Sequence, residues 1–133
     1  MSRLLPVYCL VAGAMDLATG LLLIGAPVST LRLMGIVVTP AEPIYLRFVG
    51  LFVAATGSLY LLPFVSRSLP SRRLRERAAL ETTALVRALV AVFVTASIAA
   101  GVLEPAWVSV ALVDGVLALA QLLLLPRWPG HAS

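Results

Sequence analysis

Four apolar runs dominate the chain, and each is interrupted deep inside by a charged residue. The runs cover about 4–26, 43–65, 78–103 and 105–125, each near the roughly twenty residues that carry a helix across a bilayer. All are too long for strands, so the predicted fold class is all-α: an integral membrane four-helix bundle. The deep charges are Asp16, Arg47, Arg87 and Asp114, with Glu81 a further charge near the start of the third run. A span tolerates such a residue only if something in the fold receives it.

Composition agrees with lipid as the external solvent. The 133 residues are 61% hydrophobic and 12% charged, whereas soluble domains are about a quarter charged. That length suits one domain. The net charge of +4 does not imply nucleic acid, because the basic residues sit between apolar runs and form no aromatic-interleaved face. A single cysteine, Cys9, excludes an intrachain disulfide and a cysteine metal cluster. The one histidine, His131, lies in a polar tail, so no metal site is predicted. The first run holds Asp16, is too apolar in length for a signal peptide, and has Pro27 after its only small-residue cleavage candidate. It reads as an uncleaved span.

The connections differ in character. In the first, Pro27 and Ser29 can start a short helix along the interface that Gly35 ends. The second, 66–77, is polar and basic, and Ser71 suits an N-cap for a third helix that begins before its apolar part. The third is nearly absent, with Glu104 its clear loop residue, which makes a tight hairpin of the last two spans. Arg3, Arg67, Arg72, Arg73, Arg75, Arg77 and Arg127 fall on one side of the spans and Arg32 on the other. This positive-inside bias predicts cytoplasmic N and C termini. At the opposite ends, "EPIY" (Glu42–Tyr45) and "EPAW" (Glu104–Trp107) open the second and fourth spans. Proline suits the first helical position, a carboxylate the positive helix end, and an aromatic ring the headgroup level.

Depth and direction bring the four charges together. At about 1.5 Å per residue from the cytoplasmic ends, Asp16 and Asp114 lie roughly 18 Å deep, Arg87 roughly 13 Å and Arg47 roughly 25 Å. Residues three, four and seven positions apart share a helix face. That face holds Cys9, Ala12, Gly13, Thr19 and Gly20 around Asp16, and Gly50, Ala54, Gly57 and Ser58 around Arg47. It holds Thr83, Ala84, Ala91 and Thr95 around Arg87, and Ala111, Ala118 and Gln121 around Asp114. Small and weakly polar residues are what packed membrane helices place between them. Four charges facing lipid would cost on the order of 10 kcal/mol or more, so a buried polar centre is expected. It either fixes helix register or lines a cavity for a small lipophile such as a quinone; a proton path or acid–base site is the remaining alternative.

Secondary positions complete the reading. Glu81, four residues after Arg77, suggests an interfacial pair. Gln121 can hydrogen-bond across the bundle. Tyr8 and Tyr60 read as anchors at the cytoplasmic interface. The Arg-rich loop reads as a topology determinant that touches anionic lipid, with a docking site for a partner protein as the minor alternative.

"YLRFVGLFVAATGSLYLL", "LVDGVLALAQLLLL" and "MDLATGLLLIGAP" together resemble the DoxX-like superfamily of small four-helix bacterial membrane proteins. The resemblance spans the chain in outline. It implies a similarity to subunits of quinone-linked sulfur oxidation complexes or to accessory and maturation factors. The cysteine pairs of some redox relatives are missing, which puts a thiol role in doubt; no catalytic residue is carried over. The leading expectation is a non-enzymatic accessory or lipophile-binding membrane protein, with no required cofactor and with a membrane protein or a second copy as partner. The alternatives are a membrane-embedded enzyme using Asp16 or Asp114 as acid or base, and a small transporter or proton-conducting subunit.

Overall fold

A computed structural model of the chain describes residues 4–37, 41–65 and 69–127. Arg3, Arg67 and His131, which entered the sequence reading, lie outside them. The described residues contain helices and turns and no strand. The helices are α1 (Leu4–Gly25), α2 (Pro27–Leu33), α3 (Pro43–Leu61), α4 (Leu69–Ala99) and α5 (Val108–Leu124). Short 3₁₀ turns continue α3 and α5 and precede α5. Four segments are long and apolar enough to cross a membrane: Leu5–Gly25, Pro43–Val65, Arg72–Ala99 and Pro105–Leu124.

The chain forms two compact units, Met1–Glu76 and Arg77–Ser133, with the boundary inside α4. In the first unit α1 and α3 pack antiparallel through their small residues. A Cβ on Gly13 would stand 2.8 Å from the Cβ of Tyr60, and one on Gly50 would stand 2.8 Å from the carbonyl oxygen of Gly20. No side chain fits at such distances, so the two backbones touch. The buried stripe of α3 is Leu46, Gly50, Ala54, Gly57 and Tyr60, the three-and-four spacing of one helix face.

The α2 helix starts and stops as its sequence predicts. Pro27 occupies its first turn, where a missing N–H costs nothing, and Ala26 is the N-cap. Beyond its end Gly35 adopts φ 79°, a left-handed conformation that glycine enters without a Cβ clash. The Gly35 N–H donates to the Arg32 carbonyl at 3.0 Å and the Ile36 N–H to the Leu31 carbonyl at 2.9 Å. These are the two bonds of a Schellman cap, and Leu31 and Ile36, its apolar pair, are both buried.

In the second unit α4 and α5 form a hairpin about a second cap of the same kind. Gly101 has φ 71° and donates its N–H to the Ile98 carbonyl, while the Val102 N–H reaches the Ser97 carbonyl at 2.9 Å. The helix therefore stops at Ala99, short of the expected Leu103. Apolar character continues past this point, but the left-handed residue ends the helical ladder, and residues 100–104 form the connection. At its other end α4 is already helical at Leu69, so Ser71 lies in the first turn and is not the N-cap. Pro70, tolerated in a first turn, sits there with it. Glu42 and Glu104 are both extended N-cap residues followed by proline at the start of the helical segment, as the proline of "EPIY" and "EPAW" predicts, and neither carboxylate makes a side-chain cap hydrogen bond.

Candidate functional site

The second unit carries the best-defined polar chemistry. Arg87 projects from the middle of α4 and Asp114 from the middle of α5, 27 residues apart in sequence. The Arg87 guanidinium donates through Nη1 to the Asp114 carboxylate, forming an ion pair. The side chain of Arg87 is 4% exposed and that of Asp114 18% exposed. Either charge alone would cost about 2.5–3.5 kcal/mol at the middle of a span, and each supplies the other's counter-charge.

A second polar pair lies nearer the outer ends of the hairpin. Gln121 Nε2 donates to Thr83 Oγ1 at 2.9 Å, across 38 residues of chain. The Thr83 hydroxyl in turn donates to the Ala79 carbonyl at 2.6 Å, so it passes a hydrogen bond on to its own helix. Thr83 and Gln121 are fully buried. Both pairs straddle Gly101 almost symmetrically, so one turn geometry sets the register of both. The expected face of Arg87 is otherwise realised in part: Thr83 and Ala84 are buried, Ala91 is half-buried and Thr95 is exposed, with Val94 buried in its stead.

Asp16 and Arg47 belong to the first unit, and the structure treats them oppositely. Asp16 is buried, with its Cβ beside the backbone of Gly57, and Cys9, Ala12, Gly13 and Gly20 of its predicted face are buried with it. Arg47 is exposed, which corrects the expectation that it joins the polar centre. The reason is geometric. Arg47 follows Leu46 by one residue, about 100° around the helix, so it sits on the flank of the buried stripe. It is also only four residues past Pro43, and so about 6 Å from the end of the span, where a long cationic side chain reaches outward.

Two further placements differ from or extend the sequence reading. Tyr60 is fully buried and packs edge-to-face with Tyr8, their ring centroids 6.3 Å apart. It is therefore a core residue of α3 and not an interfacial anchor: helical period places it on the glycine stripe, and that outweighs its depth. Glu76, which the sequence reading passed over, is buried and accepts from Arg72 Nε at 2.9 Å. Arg72 also lies over the Phe64 ring, 4.5 Å from its centroid. The signal was available: Arg72–Glu76 repeats the four-residue spacing of Arg77–Glu81, whose pair forms as expected at 2.8 Å with both side chains exposed. Among the described residues no cluster of three or more His, Cys, Asp or Glu side chains is placed to hold a metal ion.

No family model, no curated protein and no solved structure matches the chain.

Proposed function

We propose that the chain is a multi-pass protein of the bacterial inner membrane with cytoplasmic termini, acting as a non-enzymatic accessory or ligand-binding subunit. The observation that carries this reading is the asymmetry of the Arg87–Asp114 pair. Arg87 is sealed, while the carboxylate that receives it keeps about a fifth of its side chain open. A register device needs no open edge. An open carboxylate beside a buried guanidinium offers hydrogen bonds to a molecule with one polar group on an apolar body, of which a quinone is one example. The resemblance to the DoxX-like superfamily supports the same direction, an accessory role beside a quinone-dependent partner. The Arg-rich stretch supports the orientation and a contact with anionic lipid.

Native mass spectrometry of the mildly solubilised protein, with organic extraction of the same sample, tests the proposal. A stoichiometric small molecule is expected in the wild type and absent from Arg87→Gln and Asp114→Asn. A bare protein that the same substitutions merely destabilise would reduce the charges to a scaffold and remove the ligand from the proposal.

A further inference from the structure

Arg47 raises a problem that the rest of the fold does not answer. It lies inside the span Pro43–Val65 and is exposed, in a row whose other members are apolar. Ile44 and Leu51, three before and four after it on the same helix face, are 62% and 56% exposed. No carboxylate among the described residues of its own unit pairs with it. Asp16 is buried, Glu76 is engaged by Arg72, and Glu42 is exposed without forming an ion pair to it. A guanidinium in that row needs a counter-charge, and the carboxylates of its own unit do not supply one.

We infer that Arg47 binds the phosphate of a phospholipid headgroup at the membrane surface where α3 begins. The inference rests on the membrane reading proposed above. Position selects lipid over a protein carboxylate. Arg47 lies about 6 Å below the start of α3, a depth its side chain spans, so its donors reach the level where Tyr45 and Glu42 stand. A phosphate is present there around the whole circumference of the protein. The guanidinium fork matches two phosphate oxygens at once, a geometry an ammonium cannot reproduce. The apolar row around Arg47 then lies along the acyl chains of the same lipid. This site is distinct from the basic stretch of α4, where charges attract anionic headgroups without a surrounding apolar row.

The test compares the wild type with Arg47→Gln, Arg47→Lys and, as a control from the basic stretch, Arg73→Gln. Each full-length protein is equilibrated in detergent with phosphatidylglycerol or with a phosphate-free glucosyl diacylglycerol of the same acyl chains. Retained lipids are counted by native mass spectrometry, and membrane integration is checked by resistance to alkaline carbonate extraction. The wild type is expected to retain the phospholipid in preference to the glycolipid. Arg47→Gln is expected to weaken one binding event about tenfold, the worth of one charge-assisted contact. Arg47→Lys should fall between the two, and Arg73→Gln should leave that event in place. Equal retention by wild type and Arg47→Gln overturns the inference, and so does an equal loss in Arg73→Gln, which would indicate diffuse charge attraction. If Arg47→Gln instead converts a dimer to a monomer with lipid unchanged, the counter-charge is a second copy's carboxylate and the inference fails. Extraction of all four proteins by carbonate would remove the membrane reading itself, and this inference with it.

Discussion

The two helix pairs of this protein are held together by different means. In the α1–α3 pair, glycines remove the side chains and let the backbones touch: a Cβ on Gly57 would stand 2.7 Å from the carbonyl oxygen of Gly13. In the α4–α5 pair the one glycine on the helices, Gly115, has ordinary room, with its added Cβ 3.8 Å from that of Ala91. There the helices are joined by side chains, through Arg87–Asp114 and Thr83–Gln121. Lipid tails are as apolar as leucine, so neither pair gains a hydrophobic drive from association. Close packing and interhelical polar contacts are what remain, and each pair relies chiefly on one of them. A glycine-packed interface is intolerant of size and indifferent to charge. A polar-pinned interface is the reverse.

The largest effect that would break this contrast lies in the ion pair. Asp114→Asn takes the Asp114 charge away from the buried Arg87 and is expected to cost about 3–5 kcal/mol, the usual penalty for removing half of a buried pair. Replacing both partners, as Arg87→Leu with Asp114→Leu, should cost less than Asp114→Asn alone, because neither charge of the pair is then left in the interior. Unfolding in mixed micelles, followed by circular dichroism, measures both. A double variant weaker than the single would mean that the pair does more than cancel charge.

The second effect sharpens the comparison with one chemical change placed in both pairs. Gly20→Ala puts a methyl group 2.6 Å from the Gly50 carbonyl oxygen and 2.7 Å from the Ala54 Cα, both backbone atoms that cannot swing aside. A loss of about 1–3 kcal/mol is expected, the range for overpacking a filled interior. Gly115→Ala meets only ordinary contact and should be neutral or up to about 1 kcal/mol stabilising, since alanine is the better helix former. Equal melting shifts for the two variants would erase the distinction between the interfaces.

Much of this architecture is legible in the sequence because its signals are local. The length of each apolar run predicts a span, and Pro27 and Gly35 bracket α2 through conformational preferences of their own. The face of Asp16 follows from helical period alone. What escaped depends on information a run of letters does not hold. Depth and a face shared with Gly50 and Ala54 point Arg47 inward. An offset of about 100° from Leu46 puts it on the flank of the buried stripe, and nearness to the helix start then turned it outward. Depth suggests an interfacial anchor at Tyr60, but its spacing from Gly57 places it on the glycine stripe. The apolar run continues to Leu103, and a count of apolar residues cannot register that Gly101 takes a left-handed φ. Glu76 looked like one more solvated charge in a basic stretch, and its burial is a tertiary fact.

The smaller effects test whether polar pins matter singly. Gln121→Leu removes the bond to Thr83 but leaves that hydroxyl its own acceptor, the Ala79 carbonyl, so no donor is stranded. The cost should be near 0.6 kcal/mol, the average for interhelical hydrogen bonds in a membrane protein, and below about 1.7 kcal/mol. Glu81→Gln should cost still less, at most about 0.5 kcal/mol, because its pair with Arg77 is exposed and intrahelical. Salt separates the two in the same unfolding assay. The Glu81 contribution should fade as ionic strength rises, because an exposed pair is screened, whereas the buried Gln121–Thr83 bond joins neutral groups and should hold its value. A salt-sensitive Gln121 effect would mean that the bond is coupled to the Arg87–Asp114 charges. The two pins of the α4–α5 hairpin would then act as one network whose parts cannot be assigned separate energies.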